Sequence, residues 1–212
     1  MEKLIQQISD IAVVPVIKID CAKDALPLAD ALARGGLRAA EVTFRTDAAE
    51  ESIRLIAEAH PDFMIAAGTV LTPDQADRAM AAGASFIVSP GTNPEVVRHC
   101  LAKGYPIIPG VCTPSEVEMA MSLGLTYLKF FPAEAAGGVK MIKAMAAPYT
   151  KVRFMPTGGI TVKNIADYLA CRAVFACGGS WMVPSDAIAD GRFDEIEALT
   201  REAVELVKEI KK

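Results

Sequence analysis

A single (β/α)8 barrel of the TIM type, an α/β fold spanning residues 1–212, is what this sequence predicts. Three observations carry that expectation. Eight short apolar runs recur along the chain, amphipathic helical stretches separate them, and no linker, low-complexity tract or charge block breaks the alternation. Strands that are apolar throughout and separated by helices imply a parallel sheet covered by helices. Eight such units close into a barrel, and 212 residues lie near the low end for it, so loops must be short. A doubly wound open sheet is the alternative, but it uses fewer strands.

The elements follow in order. The opening MEKLIQQISD is polar and amphipathic, with no signal-peptide core, and reads as an extra helix at about residues 1–10 closing the barrel bottom. The first strand run is IAVVPVIKI (11–19), too short to span a bilayer. Pro15 inside it removes a ladder donor, so a bulge or strand end is expected there. The next runs are AAEVTF (39–44), FMIAA (63–67), SFIVS (85–89) and YPIIP (105–109). TYLKFF (126–131), KVRFMP (151–156) and AVFAC (173–177) complete the eight. Helical patterns such as DAAEESIRLIAEAH, PDQADRAMAAG, PEVVRHCLAKG and PSEVEMAMSLG lie between them. They begin near Thr, Asp or Pro and several end at Gly, as helix boundaries do. A last helix covers roughly 194–210, and the final Lys211 and Lys212 read as its solvated end.

Composition excludes several classes. With 52% hydrophobic and 23% charged residues the chain is globular, not disordered. Lys plus Arg number 22 against 26 Asp plus Glu, a net charge of −4, which argues against a nucleic-acid binder. No membrane partner is expected. Five cysteines, an odd number without a CxxC pair, and two isolated histidines argue against a disulfide framework and against a metal site. A reducing cytoplasm is the expected location. His60 and His99 read as surface residues, and Cys21, Cys100, Cys171 and Cys177 as buried filler, with Cys112 unassigned.

Barrel interiors are filled by branched apolar side chains, so ionisable residues on strands are the informative ones. Side chains alternate faces along a strand. In AAEVTFR, Val42 and Phe44 should pack outward, which turns Glu41, Thr43 and Arg45 inward. In TYLKFFP, Leu128 and Phe130 make the outer face and Lys129 points inside. A desolvated lysine has a lowered pKa, and its neutral amine can attack a carbonyl to form a Schiff base. A Lys129–Glu41 ion pair that merely fills space is the plain alternative; buried pairs are weak stabilisers, whereas perturbed titratable groups concentrate at sites. Other polar residues gather at strand carboxyl ends, the face where barrel enzymes keep their sites. They are Thr69, Ser89 and Pro90, Thr157 with Gly158 and Gly159, and Gly178 and Gly179 with Ser180. Two Gly-Gly pairs after the seventh and eighth strands let backbone N–H groups approach an anion, and Ser180 adds a hydroxyl. Trp181 reads equally as packing or as a site wall, and Glu134 as an organiser of the loop after the sixth strand.

VPVI (14–17), GG (35–36), EVTFR (41–45), AAGTVL (66–71), SPG (89–91), PGV (109–111), KFFPAE (129–134), GGVK (137–140), PTGGI (156–160) and GGSW (178–181) resemble, nearly end to end, the 2-keto-3-deoxy-6-phosphogluconate (KDPG) aldolase family. That family includes the bifunctional 4-hydroxy-2-oxoglutarate (KHG) aldolases. The resemblance implies a class I aldolase without metal or cofactor, reversibly cleaving the six-carbon keto-acid phosphate to pyruvate and glyceraldehyde 3-phosphate, with 4-hydroxy-2-oxoglutarate as a further substrate. It implies that Lys129 forms the Schiff base and Glu41 moves protons through a water. Arg45 holds the pyruvyl carboxylate with Thr69 and Thr157, Pro90 lies in the substrate site, and Gly158, Gly159, Gly179 and Ser180 hold the phosphate. It also implies a homotrimer. Two other functions compete: a pyruvate aldolase for an unphosphorylated 2-keto acid, which needs no phosphate cradle, and a non-catalytic sugar-phosphate-binding barrel, which needs no Lys129 or Glu41. A phosphosugar isomerase also leaves the lysine unexplained.

Overall fold

The computed structural model describes residues 1–211, and Lys212 lies outside them. Its strands are β1 (Val13–Ile17), β2 (Ala39–Thr43), β3 (Met64–Gly68), β4 (Phe86–Val88), β5 (Ile107–Ile108), β6 (Gly110–Val111), β7 (Tyr127–Phe130), β8 (Arg153–Pro156) and β9 (Cys177–Gly179). Its helices are α1 (Glu2–Ile11), α2 (Ala25–Arg34), α3 (Ala49–Ala59), α4 (Pro73–Ala81), α5 (Pro94–Lys103), α6 (Pro114–Ser122), α7 (Gly138–Ala146), α8 (Ile165–Leu169), α9 (Ser185–Ala189) and α10 (Phe193–Ile210). Thr72, Asn93 and Thr113 cap α4, α5 and α6, each followed by a proline in the first turn. The sequence patterns leave α7 unmarked, because it opens on Gly137 and Gly138 at φ 103° and 63° instead of on a capping side chain. Among the described residues no helix is long and apolar enough to cross a membrane.

Every strand pair is parallel. The order is β5-β4-β3-β2-β1-β9 in one sheet and β6-β7-β8 in a second. The parallel α/β class therefore holds, but the pairing is six strands plus three instead of one ring of eight. Pro109 is one reason: it divides the fifth strand into β5 and β6, and it has no N–H to give to a ladder. Its carbonyl accepts the Lys129 N–H at 2.9 Å. An isolated bridge Phe154–Val174 links β8 to the chain entering β9, and a second, Thr157–Gly178, links the residue after β8 to β9 itself. The last strand lies later than the apolar run 173–177, because its register with β1 sets Val13 opposite Cys177 and Val14 opposite Gly178. Pro15 stands mid-strand, with neither bulge nor end. It faces Gly179 on one side, and the ladder to β2 opens only at Val16 opposite Glu41, so its missing donor breaks nothing there.

Alternation divides the strand side chains into two cores. Val13, Ile65, Ile87, Leu128, Phe130 and Phe154 face the helices. Val14, Ala66, Phe86, Val88, Ile108 and Met155 meet on the enclosed face of the curled sheets, together with Ile5 and Ile8 of α1. Tyr127, the first residue of β7, packs against this inner cluster as well. Helix α1 thus plugs the amino ends of the strands and leaves access from the carboxyl ends. Lys211 does not dangle in solvent as expected. Its ammonium donates to the carbonyls of Ser9 and Asp10 (2.7 and 3.0 Å) and so satisfies the end of α1.

Candidate active site

Lys129 sits one inward position further along β7 than Tyr127, above the apolar plug. It is 5% exposed, and Glu41 on β2 is fully buried. Lys129 Nζ donates to Glu41 Oε1 at 3.0 Å, joining positions 88 residues apart. Leu128 and Phe130 pack outward, as the alternation requires. Glu41 Oε2 is buried with no hydrogen-bond partner, an acceptor whose cost argues for a group that meets it in function. Phe131 stands over the pair, its ring centroid 5.5 Å from Nζ, close enough for a cation–π contact. Gly68 makes the room: a Cβ there would lie 2.3 Å from Glu41 Oε1.

Arg45 departs from the expectation. Glu41 and Thr43 are buried on the inner face, whereas Arg45 is exposed, because β2 ends at Thr43 and Arg45 lies beyond it. Its Nε–H donates to Thr43 Oγ1 at 2.9 Å, and the Thr43 hydroxyl donates to the Ile17 carbonyl at 2.8 Å. Thr69 follows β3 in the left-handed region at φ 58°. That is an outlier for a β-branched residue, and such outliers cluster at functional sites. Ser89 is buried and bonds the Val70 carbonyl at 2.8 Å. The Pro90 carbonyl lies 2.1 Å from where a Cβ on Gly110 would stand, so β6 can approach only with glycine.

The loops after β8 and β9 meet. Gly158 and Gly159 both take positive φ, 99° and 81°. Thr157 is buried with an unpartnered hydroxyl, and a Cβ on Gly178 would stand 2.4 Å from it. Gly179 is the exception among the expected phosphate donors. It belongs to β9 opposite Pro15, which commits its backbone to the ladder. Its φ is ordinary, and what bars a side chain is the Trp181 ring, 2.1 Å from a would-be Cβ. Trp181 is therefore a wall packed on the strand, with Nε1 buried and unpartnered. Ser180 is exposed beside it. Glu134 does tie its loop down: it accepts the Tyr168 hydroxyl proton, and its side chain lies where a Cβ on Gly159 would go. Burial first, then that hydrogen bond, pushes the Tyr168 pKa up.

The remaining expectations divide. His60, just past the end of α3, and His99 in α5 are half-buried, with Nε2 2.9 Å from the carboxylates of Asp30 and Asp77. Cys100, Cys171 and Cys177 are buried, but Cys21 is exposed, because it lies beyond the end of β1 at the turn into α2. Sequence reasoning missed Gly68, Phe131 and the Thr43 hydroxyl. Gly68 alone left a signal, a glycine on the inner face of an otherwise apolar strand.

An amine and a carboxylate in contact among buried apolar side chains, near glycine-rich strand ends, can form an imine with a carbonyl and move its protons. That is the equipment of a lysine-dependent aldolase. The family model for the KDPG and KHG aldolases matches residues 4–199, and the chain belongs to that family. It is 50% identical over 207 residues to the 2-dehydro-3-deoxy-phosphogluconate aldolase of Haemophilus influenzae, covering 98% of each chain. It is 48% identical over 196 residues to the KHG/KDPG aldolase of Escherichia coli K12, covering 92% of each. Among solved structures, the KDPG aldolase of Legionella pneumophila, with pyruvate captured as a covalent carbinolamine intermediate, superposes with a TM-score of 0.89 at 42% identity. That match covers 92% of this chain and 95% of the other.

Proposed function

We propose that this protein reversibly cleaves 2-keto-3-deoxy-6-phosphogluconate to pyruvate and glyceraldehyde 3-phosphate through a Schiff base on Lys129. The observation that carries this reading is the 3.0 Å contact between the buried Lys129 ammonium and Glu41. The Lys129 ammonium gives a proton to Glu41, the free amine attacks the keto carbon, and the carbinolamine loses water to an imine. The water lost takes the proton back from Glu41; the bond between the α and β carbons beyond the imine carbon then breaks, its electrons form the enamine, and the proton of the β-hydroxyl, which becomes the aldehyde carbonyl, passes to Glu41 through a water. Protonation of the enamine and hydrolysis release pyruvate. The unpartnered Glu41 Oε2 is the natural seat for that water.

Arg45 holds the pyruvyl carboxylate, a task its planar fork suits, with Thr69 and Thr157 beside it. Pro90 lines the same mouth. Gly158, Gly159 and Ser180 cradle the phosphate, and Gly179 lets the Trp181 ring pack beside them as a wall. These local groups answer how an acidic chain holds a substrate with two or more negative charges. 4-Hydroxy-2-oxoglutarate fits the same lysine end, in keeping with the double name of the Escherichia coli relative.

The remaining parts of the proposal are architectural. Residues 1–212 form one domain, with β5 and β6 as one interrupted strand and the bridges to β9 closing an eight-stranded barrel. The assembly is a homotrimer, and the five free thiols suit a reducing cytoplasm.

Incubation with pyruvate and borohydride, followed by peptide mass mapping, tests the mechanism. Label on Lys129 alone is the expected result. Label on Lys140 or Lys143 instead would sink it. A binding-only protein would take no label.

A further inference from the structure

We propose that Thr43 is a positioning residue that fixes which edge of the Arg45 guanidinium meets the substrate carboxylate. This rests on the reading of Arg45 as the carboxylate holder.

Arg45 lies two residues beyond β2, is exposed, and makes no ion pair among the described residues. A long arginine arm in that setting samples many rotamers. Its side chain has one hydrogen bond among the described residues, Nε–H to Thr43 Oγ1 at 2.9 Å. Thr43 is 2% exposed, stiff at χ1, and spends its only hydroxyl proton on the Ile17 carbonyl at 2.8 Å. The lone pairs of Oγ1 must then face away from that carbonyl, towards Nε, so the relay has one direction: Arg45 to Thr43 to Ile17.

The consequence is chemical. A guanidinium has two edges that can grip a carboxylate in a bidentate fork, one of which includes Nε. Thr43 occupies Nε, which leaves the edge formed by Nη1 and Nη2 for the substrate. Two acids line the polar cleft around Arg45: Glu50 is already held by Arg78 Nε at 2.7 Å, and Asp47 makes no ion pair or hydrogen bond with Arg45 among the described residues. Thr43 therefore sets both the direction and the readiness of the arm before substrate arrives.

Thr43→Val removes the hydroxyl and keeps the shape. Loss of one hydrogen bond to a charged group predicts KM for the keto acid raised about tenfold with kcat within about twofold. Thr43→Ser should restore KM. In an Arg45→Ala background, which itself raises KM, Thr43→Val should add nothing. If it multiplies KM by the same factor there, or if it lowers only the melting temperature, Thr43 merely ties β2 to β1 and the proposal falls. Should Arg45→Ala leave KM unchanged, the carboxylate-holding role of Arg45 fails first and takes the proposal with it. Thr43→Ala replaces the valine variant if the added methyl prevents folding.

Discussion

The backbone of Gly68 lies against the carboxylate of Glu41. A Cβ on Gly68 would stand 2.3 Å from Oε1, 2.6 Å from Cγ and 2.8 Å from Cδ. The register explains the contact: Glu41 is opposite Ala66, and Gly68 is the next inward position along β3. The glutamate side chain therefore leans towards the carboxyl ends of the strands, over a residue without a side chain, and reaches Lys129.

Gly68→Ala should separate the pair without unfolding the protein. Gly68 has an ordinary φ, so alanine brings no backbone strain, only a methyl in the space of a buried carboxylate near its root. A displaced acid–base group costs on the order of 100-fold in rate, and kcat should fall by that scale with KM little changed. Circular dichroism checks the fold and steady-state kinetics the rate. Normal turnover would mean that Glu41 has other room to work.

Glu41→Gln keeps the shape and removes the charge. Imine trapping with borohydride should remain detectable, while cleavage slows roughly 100-fold or more. Near-normal turnover would make Glu41 only a structural partner of Lys129. An unpaired buried Lys129 is destabilising, so the melting temperature should also fall. Glu41→Asp, which keeps the charge at a shorter reach, separates the two effects: it should hold the melting temperature better than it holds the rate.

Much of this arrangement was legible in the chain. Lys129 between Leu128 and Phe130, and Glu41 beside Val42, announce their inward faces, because period-two alternation is local physics. The failures lie where alternation ends or where distant segments decide. Arg45 is counted as a buried strand residue only if β2 continues past Thr43, and it does not. The last strand starts at Cys177 because β1 sets its register, which no local pattern in AVFAC reveals. Gly68 matters because of a side chain on a neighbouring strand. Gly179 looked like a flexible turn residue and is instead a strand residue under an indole ring.

Two buried thiols give a pH signature. Burial pushes Cys100 from 9.0 up to about 11 and Cys177 up to about 12. In the folded protein both keep their protons at pH values where the unfolded chain has lost them. Their contribution to stability is therefore complete below about pH 9 and is lost as pH rises through 11 and 12. The denaturation midpoint should fall over that alkaline range, and less steeply in Cys177→Ala. At neutral pH iodoacetamide should modify the exposed Cys21 and spare Cys100 and Cys177 until the protein unfolds. Rapid labelling of Cys177 in the folded state would contradict its burial.

The last prediction concerns the phosphate end, where the sequence offers its one tryptophan as a reporter. Gly179→Ala places a methyl where the Trp181 ring now lies, 2.1 Å from its nearest carbon. The ring must swing away from β9, and the fluorescence maximum of the folded variant should shift red as the indole meets water. If the Trp181 ring in its place on β9 walls the phosphate site, KM for the phosphorylated substrate should rise strongly. Cleavage of 4-hydroxy-2-oxoglutarate should change little, because that substrate uses only the Lys129, Glu41 and Arg45 end. Ser180→Ala should act in the same direction by about tenfold or less, the scale of one hydrogen bond to a charged group, without moving the fluorescence. Equal weakening of both substrates in a folded Gly179→Ala protein would place the phosphate elsewhere and favour an aldolase for unphosphorylated keto acids. A red shift with both substrates unaffected would make Trp181 packing alone.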